Sequence, residues 1–223
     1  MSILKKRHIE TWSIYNAFAM VIAFAIAFFL KKTEPLIVVF TVSIIALVVI
    51  NRASLFQSKR FFGVANTITL IRYILIILSF QLINSQETFL IYGLTTAVIL
   101  DFFDGKAARY FNESSFFGQY FDMEIDAFFV LLMCFYYYFF QDISWWILIP
   151  GLLRYIYRIY TFCIPRKSKS ESKTNYGTII AASFFVILLL GLITKDRFQT
   201  VILAIGSMNI VISFAIGFIQ YHK

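Results

Sequence analysis

Long apolar runs separated by short polar breaks fill this chain from end to end. A helix needs about 17 to 25 mostly apolar residues to cross a bilayer. Eight segments approach that length: Trp12 to Leu30, Leu36 to Ile50, Asn66 to Asn84, Thr88 to Tyr110, Phe117 to Phe140, Trp145 to Ile164, Tyr176 to Thr194 and Thr200 to Tyr221. The second is the shortest. Between it and the third, Asn51 to Ala65 mixes Leu55, Phe56, Phe61 and Phe62 with Arg52, Lys59 and Arg60, a composition that suits an amphipathic helix lying in the membrane interface. There is no repeat of fixed period, no low-complexity tract and no linker long enough to separate two folded domains. The pattern predicts an all-α fold: a polytopic integral membrane helical bundle.

Composition makes that reading firm. Of 223 residues, 60% are hydrophobic and 14% charged, and the mean hydropathy is +0.79. A soluble domain carries about a quarter charged residues, and disorder needs low hydrophobicity, so both classes are excluded. The net charge of +8 does not point to nucleic acid, because most basic residues sit in the breaks between apolar runs. With the amino terminus in the cytoplasm, the loops on that side hold Lys5, Lys6, Arg7, Arg52, Lys59, Arg60, Arg166, Lys167, Lys169, Lys173 and Lys223, against Lys31, Lys32, Lys195 and Arg197 opposite. That asymmetry predicts a cytoplasmic amino terminus, in the inner or plasma membrane if the source is bacterial. Lys5, Lys6 and Arg7 precede a long apolar stretch closed by Lys31 and Lys32, as in an anchoring helix rather than a cleaved signal. Cys134 and Cys163 have no CxxC or histidine spacing and are expected as buried free thiols. Tyr136, Tyr137, Tyr138, Trp145 and Trp146 are expected to form an interfacial aromatic belt.

Charge within the spans is the informative exception. Arg72, Lys106, Arg109, Arg154 and Arg158 fall inside spans or at their ends, with Asp101, Asp104, Asp122, Glu124 and Asp126. A charge at mid-bilayer costs roughly 2.5 to 3.5 kcal/mol even on the mildest scale, so these groups must face a protein-lined cavity. Residues three and four apart share a helix face. Asp101, Asp104, Gly105 and Ala108 therefore form one stripe, and Gly118, Asp122 and Asp126 another, on two helices joined by a short turn near the cytoplasmic surface. Crowded carboxylates need cations to stay ionised. A set without His or Cys favours Mg²⁺ or Mn²⁺, ions that also hold phosphate oxygens. Gly105, Ala108 and Gly118 leave room for a bulky ligand, and Arg109 offers a bidentate phosphate partner. Glu124 lies off that face and is expected at a helix-end or inter-subunit contact; Lys106 is expected to snorkel to the interface. Arg154 and Arg158, four apart, suit the phosphate of an acceptor or lipid.

Asp101-x2-Asp104-Gly105-x2-Ala108-Arg109, eight residues, then Gly118-x3-Asp122-x3-Asp126 resembles the signature of the class I CDP-alcohol phosphotransferases, with all eight fixed positions filled over 26 residues. Weaker matches extend to Asn66, Thr69 and Arg72 and to Lys173 and Thr174 in the basic loop. The resemblance implies a six-span catalytic core over 66–223, preceded by a two-span extension over 1–50 and the interfacial helix over 51–65. It implies a homodimer with two Mg²⁺ or Mn²⁺ ions per subunit, in a site open to the cytoplasm. Asp101, Asp104, Asp122 and Asp126 match the metal ligands, and Asp126 also the general base. Gly105, Ala108, Arg109 and Gly118 match the CDP pocket, to which Asn66, Thr69 and Arg72 are assigned as well; Arg154, Arg158, Lys173 and Thr174 are candidates for an acceptor or lipid phosphate. The implied reaction moves the phosphatidyl group of CDP-diacylglycerol to a small alcohol and releases CMP.

Two other classes also put carboxylates in membranes. A cation or proton-coupled transporter favours sites at the midplane, whereas this motif sits at helix ends. Intramembrane prenyltransferases use Asp-x2-Asp pairs with Mg²⁺ but lack the Gly-x2-Ala-Arg continuation. The acceptor stays open. Ala127 and Phe128 follow Asp126 where glycerol-phosphate and inositol-phosphate transferases often carry lysine, and Phe121 to Asp126 departs from the Leu-Asp-Ser-Leu pattern of serine transferases.

Overall fold

The computed structural model describes residues 2–56, 62–82, 87–111, 115–164, 175–194 and 196–222. Among them the chain forms eight α-helices: α1 (Ser2–Leu30), α2 (Glu34–Phe56), α3 (Val64–Gln81), α4 (Glu87–Tyr110), α5 (Phe116–Phe140), α6 (Leu148–Cys163), α7 (Asn175–Ile193) and α8 (Asp196–His222), with a 3₁₀ turn at Trp145–Ile147 ahead of α6. Each predicted span has its helix. Five of the helices are long and apolar enough to cross a membrane, and α4 and α7 carry shorter apolar stretches. The outward faces are apolar too: Ile22, Val38, Val42, Ile45, Ile179 and Ile205 are exposed, which suits hydrocarbon and not water. The protein is a polytopic, all-helical integral membrane protein.

The predicted interfacial helix over 51–65 takes a different form where it is described. Asn51 to Phe56 continue α2, Phe62 and Gly63 lead into α3 with positive φ (65° and 76°), and residues 57–61, with Lys59 and Arg60, lie outside the described residues. At Asn51 the side-chain amide donates to Leu47 O (2.9 Å), so a polar residue satisfies itself within the helix and does not end it.

The chain divides into two compact units, Met1–Phe129 and Val130–Lys223. In the first, α1 and α2 form a pair whose turn is built without glycine. Lys31 takes positive φ (54°), and Lys32 N–H closes back on Ala27 O (3.1 Å), a Schellman-type ending. Trp12 Nε1 donates to Ser43 O (2.9 Å) across the pair. The α3–α4 pair is close at Gly93, where a Cβ would collide with the Ser79 hydroxyl. An aromatic cluster joins α2, α3 and α5: Phe40 stacks on Phe128 at 4.1 Å between centroids, and Tyr73 packs against both.

In the second unit α5 continues as a run buried from Val130's neighbour Leu131 to Tyr137. This corrects the aromatic-belt expectation. Tyr136 and Tyr137 are buried, the Tyr137 hydroxyl donates to Leu188 O on α7, and the Tyr136 hydroxyl accepts from Gln141. Only Trp145 of the five is exposed; Tyr138 and Trp146 are intermediate. The tyrosines sit inside because each hydroxyl finds a protein partner, so none needs the interface. Close packing at Gly151, against Leu131 and Cys134, and at Gly206, against Phe184 and Ile187, fixes α6 and α8 in this unit. Cys134 is buried as expected, but Cys163 is exposed, because it is the last residue of α6.

Phe128 is fully buried and faces a stacked ring, so Phe128→Ala should cost about 3 kcal/mol or more, within the usual range for buried phenylalanine. Thermal unfolding in detergent should show a lower midpoint for Phe128→Ala than for Phe128→Leu, and both below wild type; an unshifted midpoint would show that the cluster contributes nothing.

Candidate active site

Three helices of the first unit build the site. α4 supplies Asp101, α5 supplies Asp122 and Asp126 one turn apart, and α3 supplies Arg72. The start of α5 is set locally. Gly118 N–H donates to Ser115 Oγ (3.0 Å) and Gln119 N–H to Ser115 O (3.1 Å), so Ser115 acts as the amino-terminal cap.

Arg72 is the hub. Its Nη1 lies 2.7 Å from Asp101 Oδ1 and 2.9 Å from Asp122 Oδ1, and its Nη2 lies 2.8 Å from Asp126 Oδ1. The guanidinium side chain is 3% exposed, whereas the three carboxylates are 26%, 28% and 29% exposed. The acids thus present one side to the arginine and another to an open space. Three carboxylates against one guanidinium leave an excess of two negative charges when all are ionised.

That excess fits a divalent cation. Asp101, Asp122 and Asp126 each offer an oxygen, and these atoms lie within 4.8 Å of one another. The donor set is all oxygen, the choice of Mg²⁺ and Mn²⁺. Asp104 follows Asp101 by three residues on α4, on the same face, and Ala108 and Arg109 continue that helix; their side chains lie outside the described ones.

Around this centre the other predicted residues fall in two groups. Asn66, Thr69 and Arg72 succeed one another at a spacing of three along α3. Asn66 Nδ2 donates to Phe62 O (2.6 Å), and the buried Thr69 hydroxyl to Ala65 O (3.0 Å). Gly118 meets Asn66 directly: a Cβ there would stand 2.7 Å from Asn66 Oδ1. Gly105 borders open space, with nothing within 4 Å of a Cβ built on it. Arg72, assigned from the sequence to the CDP pocket, reaches the acidic residues. Arg154 and Arg158 lie one turn apart on α6, in the second unit, and Lys173 and Thr174 lie outside the described residues. Lys106 places its ammonium 3.9 Å from the centre of the Phe102 ring, a cation–π contact.

Glu124 is corrected. It lies mid-helix, is 2% exposed, and is bound within its own chain: Ser13 Oγ donates to Oε1 (2.8 Å) and Asn16 Nδ2 to Oε2 (2.9 Å). It therefore serves neither a helix end nor a contact between subunits. Ser13 and Asn16 were not anticipated from the sequence. The signal for them is faint: two polar residues three apart within an otherwise apolar span.

The family model for CDP-alcohol phosphatidyltransferase matches residues 62–216, well over half of the chain. No curated protein and no solved structure gives a significant match.

Removing one partner of a buried charge network is strongly destabilising, typically about 3 to 5 kcal/mol, because the others keep their charge without compensation. Arg72→Leu should therefore lower the thermal midpoint in EDTA far more than Arg72→Lys does. Gly118→Ala should also destabilise, through the Asn66 amide, and the double variant Asn66→Ala/Gly118→Ala should lose less than the sum of the two single losses. Additive losses would show that the two residues do not meet.

Proposed function

Because the chain belongs to the CDP-alcohol phosphatidyltransferase family, we propose that it transfers the phosphatidyl group of CDP-diacylglycerol to the hydroxyl of a small polar alcohol, releasing CMP. Family membership itself supports phosphatidyl transfer in phospholipid synthesis. The observation that carries the finer reading is the convergence of Asp101, Asp122 and Asp126 from two helices within 4.8 Å, partly exposed on one side and held by Arg72 on the other.

The metal would be Mg²⁺ or Mn²⁺, two ions per subunit, held by Asp101, Asp104, Asp122 and Asp126. When bound, it supplies charge neutralisation for the diphosphate and for the departing CMP. The chain's own residues do the rest. Gly105, which borders open space, would leave room for the CDP moiety beside the acids, whereas the space over Gly118 is taken by the Asn66 side chain. Asn66, Thr69, Ala108, Arg109 and Gly118 would line the edge of that room. Arg72 keeps the three carboxylates oriented while the substrate is absent and limits their mutual repulsion.

In the transfer, the acceptor oxygen forms a bond to the phosphorus that bears the diacylglycerol. The bond from that phosphorus to the bridging oxygen breaks, and the electron pair leaves with CMP. Asp126 takes the acceptor proton at the carboxylate oxygen not engaged by Arg72. Arg154 and Arg158, with Lys173 and Thr174, would receive a phosphate on an anionic acceptor or on lipid. The excess of lysine and arginine in one set of loops supports a site facing the cytoplasm, with the amino terminus on the same side. A homodimer is part of the same reading.

Purified protein in detergent with Mg²⁺ or Mn²⁺ should release CMP from CDP-diacylglycerol when offered serine, inositol, inositol phosphate, glycerol phosphate or aminoalcohols in turn, with lipid mass spectrometry naming the product. EDTA should abolish release, and Asp126→Asn should lower it by about 10²-fold or more, the usual contribution of a general base. No metal-dependent release with any acceptor, together with no binding of CDP-diacylglycerol, would overturn the proposal.

A further inference from the structure

The segment that precedes the family match touches neighbours of the charged network at three points, each within two residues of a member of that network. Glu124 sits between Asp122 and Asp126 on α5. At about 100° per residue it points away from both, roughly on the opposite face. That face meets α1, where Ser13 and Asn16 hold the two carboxylate oxygens at 2.8 and 2.9 Å. Tyr73 follows Arg72 on α3, and its hydroxyl shares a hydrogen bond with Thr41 of α2 (2.7 Å). Phe128, two residues past Asp126, stacks on Phe40 of α2. Ser13, Asn16 and Glu124 are all at least nine-tenths buried, so solvent does not weaken the clamp.

We propose that α1 and α2 are a positioning element of the active site: through Ser13, Asn16 and Glu124 they fix the rotation of α5 and so set the affinity of Asp122 and Asp126 for a divalent cation. Arg72 alone anchors α5 from one side and permits rotation about its axis. A second anchor on the opposite face removes that freedom. With a helix diameter of about 10 to 12 Å including side chains, a turn of about 10° moves a carboxylate by about 1 Å. A displacement of that size can cost about 10²-fold in rate. Ser13, Asn16 and Glu124 are positioning residues; none needs to touch substrate or metal.

The inference rests on the metal reading of the site, and the test separates the two. Mn²⁺ alone is titrated into full-length protein in detergent, with free Mn²⁺ followed by its electron paramagnetic resonance signal, for wild type, Ser13→Ala/Asn16→Ala, Glu124→Ala and Glu124→Gln. Thermal melting of each variant reports the folded fraction. The double variant and Glu124→Ala should bind Mn²⁺ about tenfold more weakly per folded molecule, as for lost support behind metal ligands elsewhere. Glu124→Gln should recover most of that affinity. Its carbonyl can still accept from Ser13, and its amide can donate to Asn16 Oδ1, a buried atom that has no partner beside glutamate.

A merely structural role would lower the melting point and leave the affinity of the folded fraction unchanged, which overturns the inference. So does a Glu124→Gln affinity as poor as that of Glu124→Ala, which would make charge and not position the cause. Should Glu124→Ala fail to fold, the double variant and Glu124→Gln carry the comparison. Wild type that binds no Mn²⁺ overturns the metal site and this inference together, whereas tight binding shared by every variant overturns this inference alone.

Discussion

One guanidinium holds the acidic cluster of this protein together. Arg72 is almost fully withdrawn from solvent, and two of its nitrogens reach three carboxylates from two other helices. A planar fork can do this where the single ammonium of lysine cannot, because its donors leave in fixed and different directions. Its position dictates what surrounds it. α3 must lie close against α5, which requires a residue without a side chain at Gly118 beside Asn66, and close against α4, which requires the same at Gly93 beside Ser79. Burying one cation among three anions is tolerable because the acids stay partly exposed, at 26%, 28% and 29%.

The remaining apolar surface follows from a different constraint. In lipid, apolar side chains gain little by leaving the surrounding medium, so outward-facing Ile, Val and Phe need no cover. Specific packing inside the first unit comes instead from rings and hydrogen bonds: the Phe40, Tyr73 and Phe128 cluster, the indole of Trp12 on Ser43 O, and the tyrosine hydroxyl on Thr41.

Helix placement was largely legible in the sequence, because a membrane helix announces itself by length and hydropathy without help from its neighbours. The carboxylate site was legible for a related reason: Asp122 and Asp126 are one turn apart, and a spacing of four needs no tertiary knowledge to be read as one face. What could not be read was pairing over long separations. Nothing near Glu124 names Ser13 and Asn16, more than a hundred residues earlier, and a carboxylate between two aspartates looks the same whether it faces a neighbouring helix or another subunit. The tyrosines at 136 and 137 misled for a similar reason. Position near a span end suggests the interface, and only the carbonyl of Leu188 and the amide of Gln141 show that both hydroxyls are satisfied inside.

The cap at Ser115 acts as the zero of a ruler. From it Gly118 stands three residues along, Asp122 seven and Asp126 eleven, and Glu124 falls between the last two on the other side of the helix. A start displaced by one residue would turn the face presented at a given height by about 100° and exchange acid for apolar side chain at every contact at once. The spacer between Arg109 and Gly118 is therefore a gauge of length more than of composition: it contains the last residue of α4, the cap and the opening residues of α5, and the register of the whole acidic face is counted from where it ends.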